Sequence, residues 1–176
     1  MNEILTSTVE SPIGPLTLIA RDGVLTHLSM HEARHSSAPP DEAVVDDAWF
    51  KDVADQLDAY FGGELATFDL DMTLSGTEFQ RSVWTQLSAI PYGETISYGE
   101  LARRLGSAPR AVGLANGANP LPIIVPCHRV IGADGSLTGY GGGLARKQAL
   151  LELESRVHGG EAPPGVWAGR QLSLLA

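Results

Sequence analysis

Pro126-Cys127-His128-Arg129-Val130 is the stretch that decides how this chain is read, because it holds the only cysteine among 176 residues and sets a histidine directly behind it. One cysteine excludes an internal disulfide, and a solitary cysteine in a globular protein is ordinarily a small packing residue. Apolar packing, however, does not ask for an imidazole and a guanidinium next to the thiol. A thiolate is the reactive form of cysteine, and a free thiol is mostly protonated at neutral pH, so a neighbouring base or a positive field has to help it ionise. Side chains at adjacent positions diverge. His128 is therefore expected to reach the Cys127 sulfur through a water rather than directly.

Outward from the cysteine, Arg110-Ala111-Val112-Gly113-Leu114-Ala115-Asn116-Gly117-Ala118-Asn119-Pro120 lies upstream and Gly139-Tyr140-Gly141-Gly142-Gly143 lies downstream. Together these segments resemble the O6-alkylguanine-DNA alkyltransferases, repair proteins that take an alkyl group from guanine onto their own cysteine and are spent by it. The likeness is strong over residues 76–155 and extends to the earlier residues by general pattern.

That resemblance implies a role for each matching position. Cys127 is the acceptor, linked through water to His128 and then to the carboxylate of Glu154. Tyr98 donates a hydrogen bond or proton to the departing guanine, and Asn119 organises the turn before the active-site strand. Tyr140, Gly141 and Val130 are expected around the substrate. Arg110 matches the arginine that enters the base stack, and the small residues Ala111, Gly113 and Ala115 let its helix lie close to DNA. A minor-groove approach suits scanning without regard to sequence, and a base inside a duplex has to be rotated out before sulfur can reach it. The implied partner is duplex DNA containing alkylated guanine, approached by a monomer. No cofactor is implied, and the cysteine ligands of the zinc found in some relatives are absent.

Some residues can be weighed without the resemblance. Glu154 falls near the C-terminal end of an expected helix, where a carboxylate opposes the helix dipole. Helix stability does not explain it, whereas holding His128 in one tautomer does; Glu152 serves as a solvated comparison. Tyr98 also reads as a surface tyrosine at a helix start; Arg103, Arg104 and Arg129 are candidate phosphate or structural partners, the first two reading more readily as solvated charges. The chain departs from the family in its shorter turn Gly106-Ser107-Ala108-Pro109-Arg110, in lacking a basic residue at Asn116-Gly117-Ala118, and in having Gly141 where others have serine.

The formal net charge of −9 looks adverse for a DNA-binding protein until it is divided along the chain. Residues 1–80 carry 3 Lys/Arg against 15 Asp/Glu, and residues 81–176 carry 9 against 6. Charges beyond about 10 Å are largely screened at physiological salt, so an acidic first half leaves a face of the second half open to a duplex. No apolar run is long enough to span a bilayer and the first twenty residues lack the form of a signal peptide, which makes the cytoplasm the expected location. His27, His31 and His35 recur at helical spacing, but His35 opens a Pro-rich loop and no metal site is expected.

The expected fold is α/β (α+β). Residues 9–30 alternate and turn at Asp22-Gly23 like antiparallel strands, followed by a helix from Asp41 to Phe61 and an extended stretch from Phe68 to Leu74. This gives an N-terminal domain over residues 1–75, a small antiparallel sheet with a helix. Thr77…Gln80 and Ser97…Glu100 read as two capping boxes, each opening a helix of a mainly helical domain over residues 76–158. The pair of short helices around Gly106-Ser107 reads as a DNA-binding helix-turn-helix; a plain pair of core helices fits the same pattern. A last helix runs from Gly143 to Glu154, and residues 159–176 read as a mobile tail. Two rival functions remain: a sensor that binds the lesion without reacting, and a cysteine hydrolase built on Cys127 and His128. The number of products per chain separates them.

Overall fold

The computed structural model describes residues 3–34 and 36–159; the tail expected at 159–176 lies outside the described residues beyond Gly159. Strands β1 (Ile4–Val9), β2 (Leu16–Arg21) and β3 (Val24–Met30) form an antiparallel meander. Asp22 and Gly23 make its tight turn with φ of 50° and 78°, the left-handed pair whose twist matches a two-residue hairpin. Leu16, Leu18 and Ala20 alternate into the core, each with no exposed surface.

The sheet is mixed, not purely antiparallel. β4 (Val44–Val45) runs parallel to β1 at the edge, giving the order β3-β2-β1-β4. The helix expected from Asp41 accordingly begins only at Lys51, as α1 (Lys51–Phe61). Two aspartates explain the difference: Asp46 accepts from the Trp49 N–H at 3.0 Å, and Asp47 accepts from the Ser7 hydroxyl at 2.6 Å. Their short side chains turn the chain, and the exposed Val44 and Val45 contribute to an apolar spacing that no helix uses. α1 buries Val53, Leu57 and Tyr60 on one stripe.

Beyond the extended stretch, α2 (Glu78–Ser88) opens on a complete capping box formed by Thr77 and Gln80. α3 (Tyr98–Arg104) opens on half of one: Ser97 accepts from the Glu100 N–H, but the Glu100 carboxylate turns away to Arg103 and Arg104 at 2.8 and 3.0 Å. α4 (Pro109–Gly117) starts with proline at its first position, where the fixed φ and missing N–H cost nothing, so the shortened turn still ends in a well-formed helix. β5 (Ile96–Ser97) pairs with β6 (Val130–Ile131), joining the start of α3 to the strand that leaves the cysteine. α5 (Leu144–His158) continues a full turn past Glu154 and stops at left-handed Gly159. Leu18, Leu57 and Tyr60 from the first half share one core with Trp84, Leu101, Val112 and Leu150 from the second.

Candidate active site

A 3₁₀ turn, Cys127–Arg129, divides the reactive stretch between two environments. Cys127 lines a cavity of about 400 Å³. His128 and Arg129 are buried and engage Glu154: His128 Nε2 stands 2.7 Å from Oε1, and Arg129 donates from Nε to Oε2 at 2.9 Å and from Nη2 to Oε1 at 2.8 Å. Arg129 Nη1 also donates to the Ile90 carbonyl at 2.7 Å, so this arginine belongs to the interior and not to a DNA surface. A further neighbour of the carboxylate comes from the other half of the chain, where the Tyr60 hydroxyl donates to Oε1 at 2.8 Å.

This geometry settles the imidazole's orientation. An ionised carboxylate accepts only, so His128 Nε2 carries the hydrogen and Nδ1 is left as the acceptor. Nδ1 is buried and has no hydrogen-bond partner among the described residues. Burial pushes the Glu154 carboxyl up, but His128 and Arg129 outweigh it and hold the group well below the usual carboxylate range. Burial drives His128 down despite the pull of Glu154, which keeps the ring neutral at rest. The thiol is not poised by a positive field: burial pushes Cys127 up, with Asn119, Lys147 and Tyr140 opposing only in part. Ionisation therefore depends on a base that removes the proton.

Asn119 does what its turn position suggests. Its Nδ2 donates to the Val125 carbonyl at 2.8 Å and its Oδ1 accepts from the Leu121 N–H at 3.0 Å. Between those anchors Ile123 has a φ of 76°, a left-handed conformation that costs a branched residue about 1–3 kcal/mol. The amide clamp holds this strained approach to the cysteine. Asn116 on α4 adds a second tie, donating to the Cys127 carbonyl at 3.3 Å.

Tyr140 closes the cavity with a buried hydroxyl, which burial and the adjacent Cys127 push well above the ordinary phenol range. Gly142 leaves no room for a side chain, since a Cβ there would lie 2.5 Å from the Met30 sulfur and 2.9 Å from the Tyr140 ring. Tyr98, first residue of α3, directs its hydroxyl to the carbonyls of Thr138 and Gly139 at 3.3 and 3.2 Å. Burial raises it to about 12, so it is a proton donor and not a base. Beside the cavity runs a groove of about 630 Å³ lined by Arg34, Tyr98, Arg110, Gly113, Leu114 and Tyr140 among others.

Two segments match models of a single family: residues 4–74 match "6-O-methylguanine DNA methyltransferase, ribonuclease-like domain", and residues 78–156 match the DNA binding domain of the same family. The chain is a member of the 6-O-methylguanine DNA methyltransferase family. It is 58% identical over 149 residues to the methylated-DNA–protein-cysteine methyltransferase of Mycobacterium tuberculosis, covering 84% of this chain and 90% of that protein. With its counterpart in Methanosarcina acetivorans it shares 51% identity over 147 residues, 82% of this chain and 94% of that one. Among solved structures, Mycobacterium tuberculosis OGT in complex with DNA superposes with a TM-score of 0.79 at 56% identity, covering 85% of this chain and 92% of that one.

Within this methyltransferase fold, the DNA-facing residues read from sequence need revision. The exposed side of α4 carries Arg110, Leu114 and Gly117, with Gly113 beside them in the groove. Ala115 lies on the opposite side, buried, and its carbonyl accepts from Trp84 Nε1 at 2.8 Å. Ala111 is half-buried and outside the groove lining. Helical periodicity explains the error: small residues one and five positions after Arg110 fall on a different face from it. Val130 is corrected as well, because it is wholly buried in β6 and does not line the cavity.

Sequence reading missed Tyr60 and Lys147, which the fold brings to the site, and left Arg129 between a phosphate contact and a structural role. Tyr60 and Arg129 complete the surroundings of Glu154, and Lys147 sits buried with its Nζ on the carbonyls of Val130 and Thr138, 5.6 Å from the Tyr98 ring centroid. Burial lowers Lys147 to about 8. A lysine on the inward face of an otherwise apolar helical stripe was the available signal for it; for Tyr60 no local signal existed. Among the described residues no three His, Cys, Asp or Glu side chains are grouped to hold a metal, and no helix is long and apolar enough to cross a membrane.

Proposed function

We propose that this chain repairs O6-alkylated guanine in duplex DNA by taking the alkyl group onto Cys127, once per molecule and without a cofactor. The supporting observation is the chain's only thiol on a cavity wall, preceded by a clamped loop and followed by a neutral histidine whose Nδ1 is free to accept a proton. His128 Nδ1 takes the thiol proton through water, and Glu154 stabilises the imidazolium that results. The sulfur lone pair then forms the S–C bond as the bond between the alkyl carbon and guanine O6 breaks. The electron pair of that broken bond goes to the base, where Tyr98 donates a hydrogen bond or proton; the proton held by the His128 imidazolium is then released to replace it through solvent, so that guanine, tyrosine and histidine all end neutral.

Base access requires a flipped nucleotide, and unstacking it costs a few kcal/mol. Arg110, exposed at the second position of α4 and bordering the groove, is the side chain placed to fill the gap left in the stack. The reading divides the labour between residues 1–75 and 76–158 and takes the free protein as a cytoplasmic monomer. Counting products tests it. Excess O6-methylguanine duplex should yield one repaired base per chain and then nothing, whereas no product would indicate a lesion sensor and continued turnover a hydrolase.

A further inference from the structure

We propose that Tyr60 is a positioning residue for alkyl transfer, its hydroxyl pinning the carboxylate that orients His128. The inference rests on the His128–Glu154 relay described above and extends it into the first half of the chain. Tyr60 ends the buried stripe of α1, ninety-four positions before Glu154, and no part of its side chain reaches solvent. Its ring is fixed by packing against Phe61, Phe68 and Tyr92, with centroids 5.3, 5.4 and 6.1 Å away. A phenylalanine would pack equally well. The hydroxyl is costly to bury without a partner, and the partner it has is one oxygen of Glu154.

That oxygen is the one that holds His128. Tyr60 Oη, His128 Nε2 and Arg129 Nη2 converge on Oε1 within 2.7 to 2.8 Å, while Oε2 takes Arg129 Nε and a longer contact from the Gly93 N–H at 3.4 Å. A carboxylate offers about four acceptor sites, so this one is saturated and cannot rotate without breaking a bond. The titratable and charged groups facing it are Tyr60 from α1, Tyr92 from the loop after α2, and His128 and Arg129 from the 3₁₀ turn; Cys127, Tyr140 and Lys147 stand further off. Among the described residues, only Tyr60 hydrogen-bonds the relay carboxylate from the first half of the chain.

The phenol has two effects on the relay. It disperses negative charge on Glu154, which tempers the attraction for an imidazolium, and it fixes the oxygen to which His128 is bonded. Without it the histidine becomes a stronger base held less firmly. The acid-side midpoint of the pH–rate profile, which reports protonation of that base, then moves to higher pH while the limiting rate falls, a combination that loosened packing alone does not produce.

The test is single-turnover transfer from free O6-benzylguanine, which removes DNA binding from the rate, followed across pH for wild type, Tyr60→Phe, Glu154→Gln and the double variant. Tyr60→Phe should raise the midpoint by about half a unit and lower the limiting rate by about threefold to tenfold. Glu154→Gln should move the midpoint the opposite way, and adding Tyr60→Phe to it should move it no further. A ring-fluorinated tyrosine at position 60, a stronger donor of the same shape, should lower the midpoint and decides the matter if Tyr60→Phe does not fold. An unmoved midpoint in Tyr60→Phe or the fluorinated protein, with Glu154→Gln still shifting it, overturns the role of Tyr60 and leaves the relay standing. Equal shifts with and without Glu154 overturn it too. If Glu154→Gln itself leaves the profile unchanged, the relay fails and Tyr60 falls with it.

Discussion

The first half of the chain is strongly acidic and carries no group able to react with an alkylated base, whereas the second half is mildly basic and carries the thiol, the histidine and the helix-turn-helix. On the surface the two are opposites, yet in the interior they are continuous. Leu28 of β3 donates its N–H to the Pro120 carbonyl at 2.9 Å, Met30 lines the cavity opposite Cys127, and Tyr60 reaches Glu154. Charge thus separates the two halves, while buried contacts tie both to the site. The acidic first half would repel a duplex, yet it also shapes the relay from behind through Tyr60.

Substitutions on either side of that boundary can break the comparison. Leu57→Ala empties a fully buried position on α1 and should cost about 2–5 kcal/mol, measured by denaturant melts. The protein that remains folded should transfer alkyl groups at a near-normal rate, because an apolar Leu57 side chain offers the relay no hydrogen bond. A rate loss matching the loss of stability would show that the first half controls reactivity through its general packing and not through Tyr60.

Glu154→Gln should slow transfer by roughly 10- to 100-fold at neutral pH. The sign follows from the resting site: burial raises the thiol and lowers His128, so thiolate forms only with help from the Glu154 charge. Removing that charge moves the thiol midpoint upward, and activity should partly recover as pH rises. A loss constant across pH would assign Glu154 to shape rather than charge.

Arg110→Ala, in the groove beside the cavity, should reduce repair of a duplex by roughly tenfold and leave the reaction with free O6-benzylguanine unchanged. Equal losses on both substrates would place Arg110 in the fold or pocket. The smallest effect is expected at Glu152, whose carboxylate meets Gln148 at 3.0 Å and lies apart from the relay. Glu152→Gln should alter stability by less than about 0.5 kcal/mol and leave the pH profile in place.

Local chemistry made much of the fold legible. The Asp22-Gly23 hairpin, the Thr77…Gln80 capping box and the apolar stripes of α1 and α2 are short-range features, written within a few residues of one another. The edge strand at Val44–Val45 was hidden because its pairing with β1 is not local and its valines also fit a helical spacing. At the site, Cys127, His128 and Asn119 stand close together in sequence and could be read from it. The donors to Glu154 come from positions 60, 128 and 129, and only the packed core sets the first beside the others. Ala115 and Val130 were misplaced because small size and proximity to the cysteine say nothing of the face on which a residue lies.

The most direct test of the central claim is to incubate the protein with excess O6-methylguanine duplex and map the product by peptide mass spectrometry. The account predicts one added methyl group per chain, located on Cys127, with the DNA returned to guanine and no modification of Cys127→Ser. A methyl group on any other residue, or repair that persists in Cys127→Ser at the wild-type rate, would contradict it.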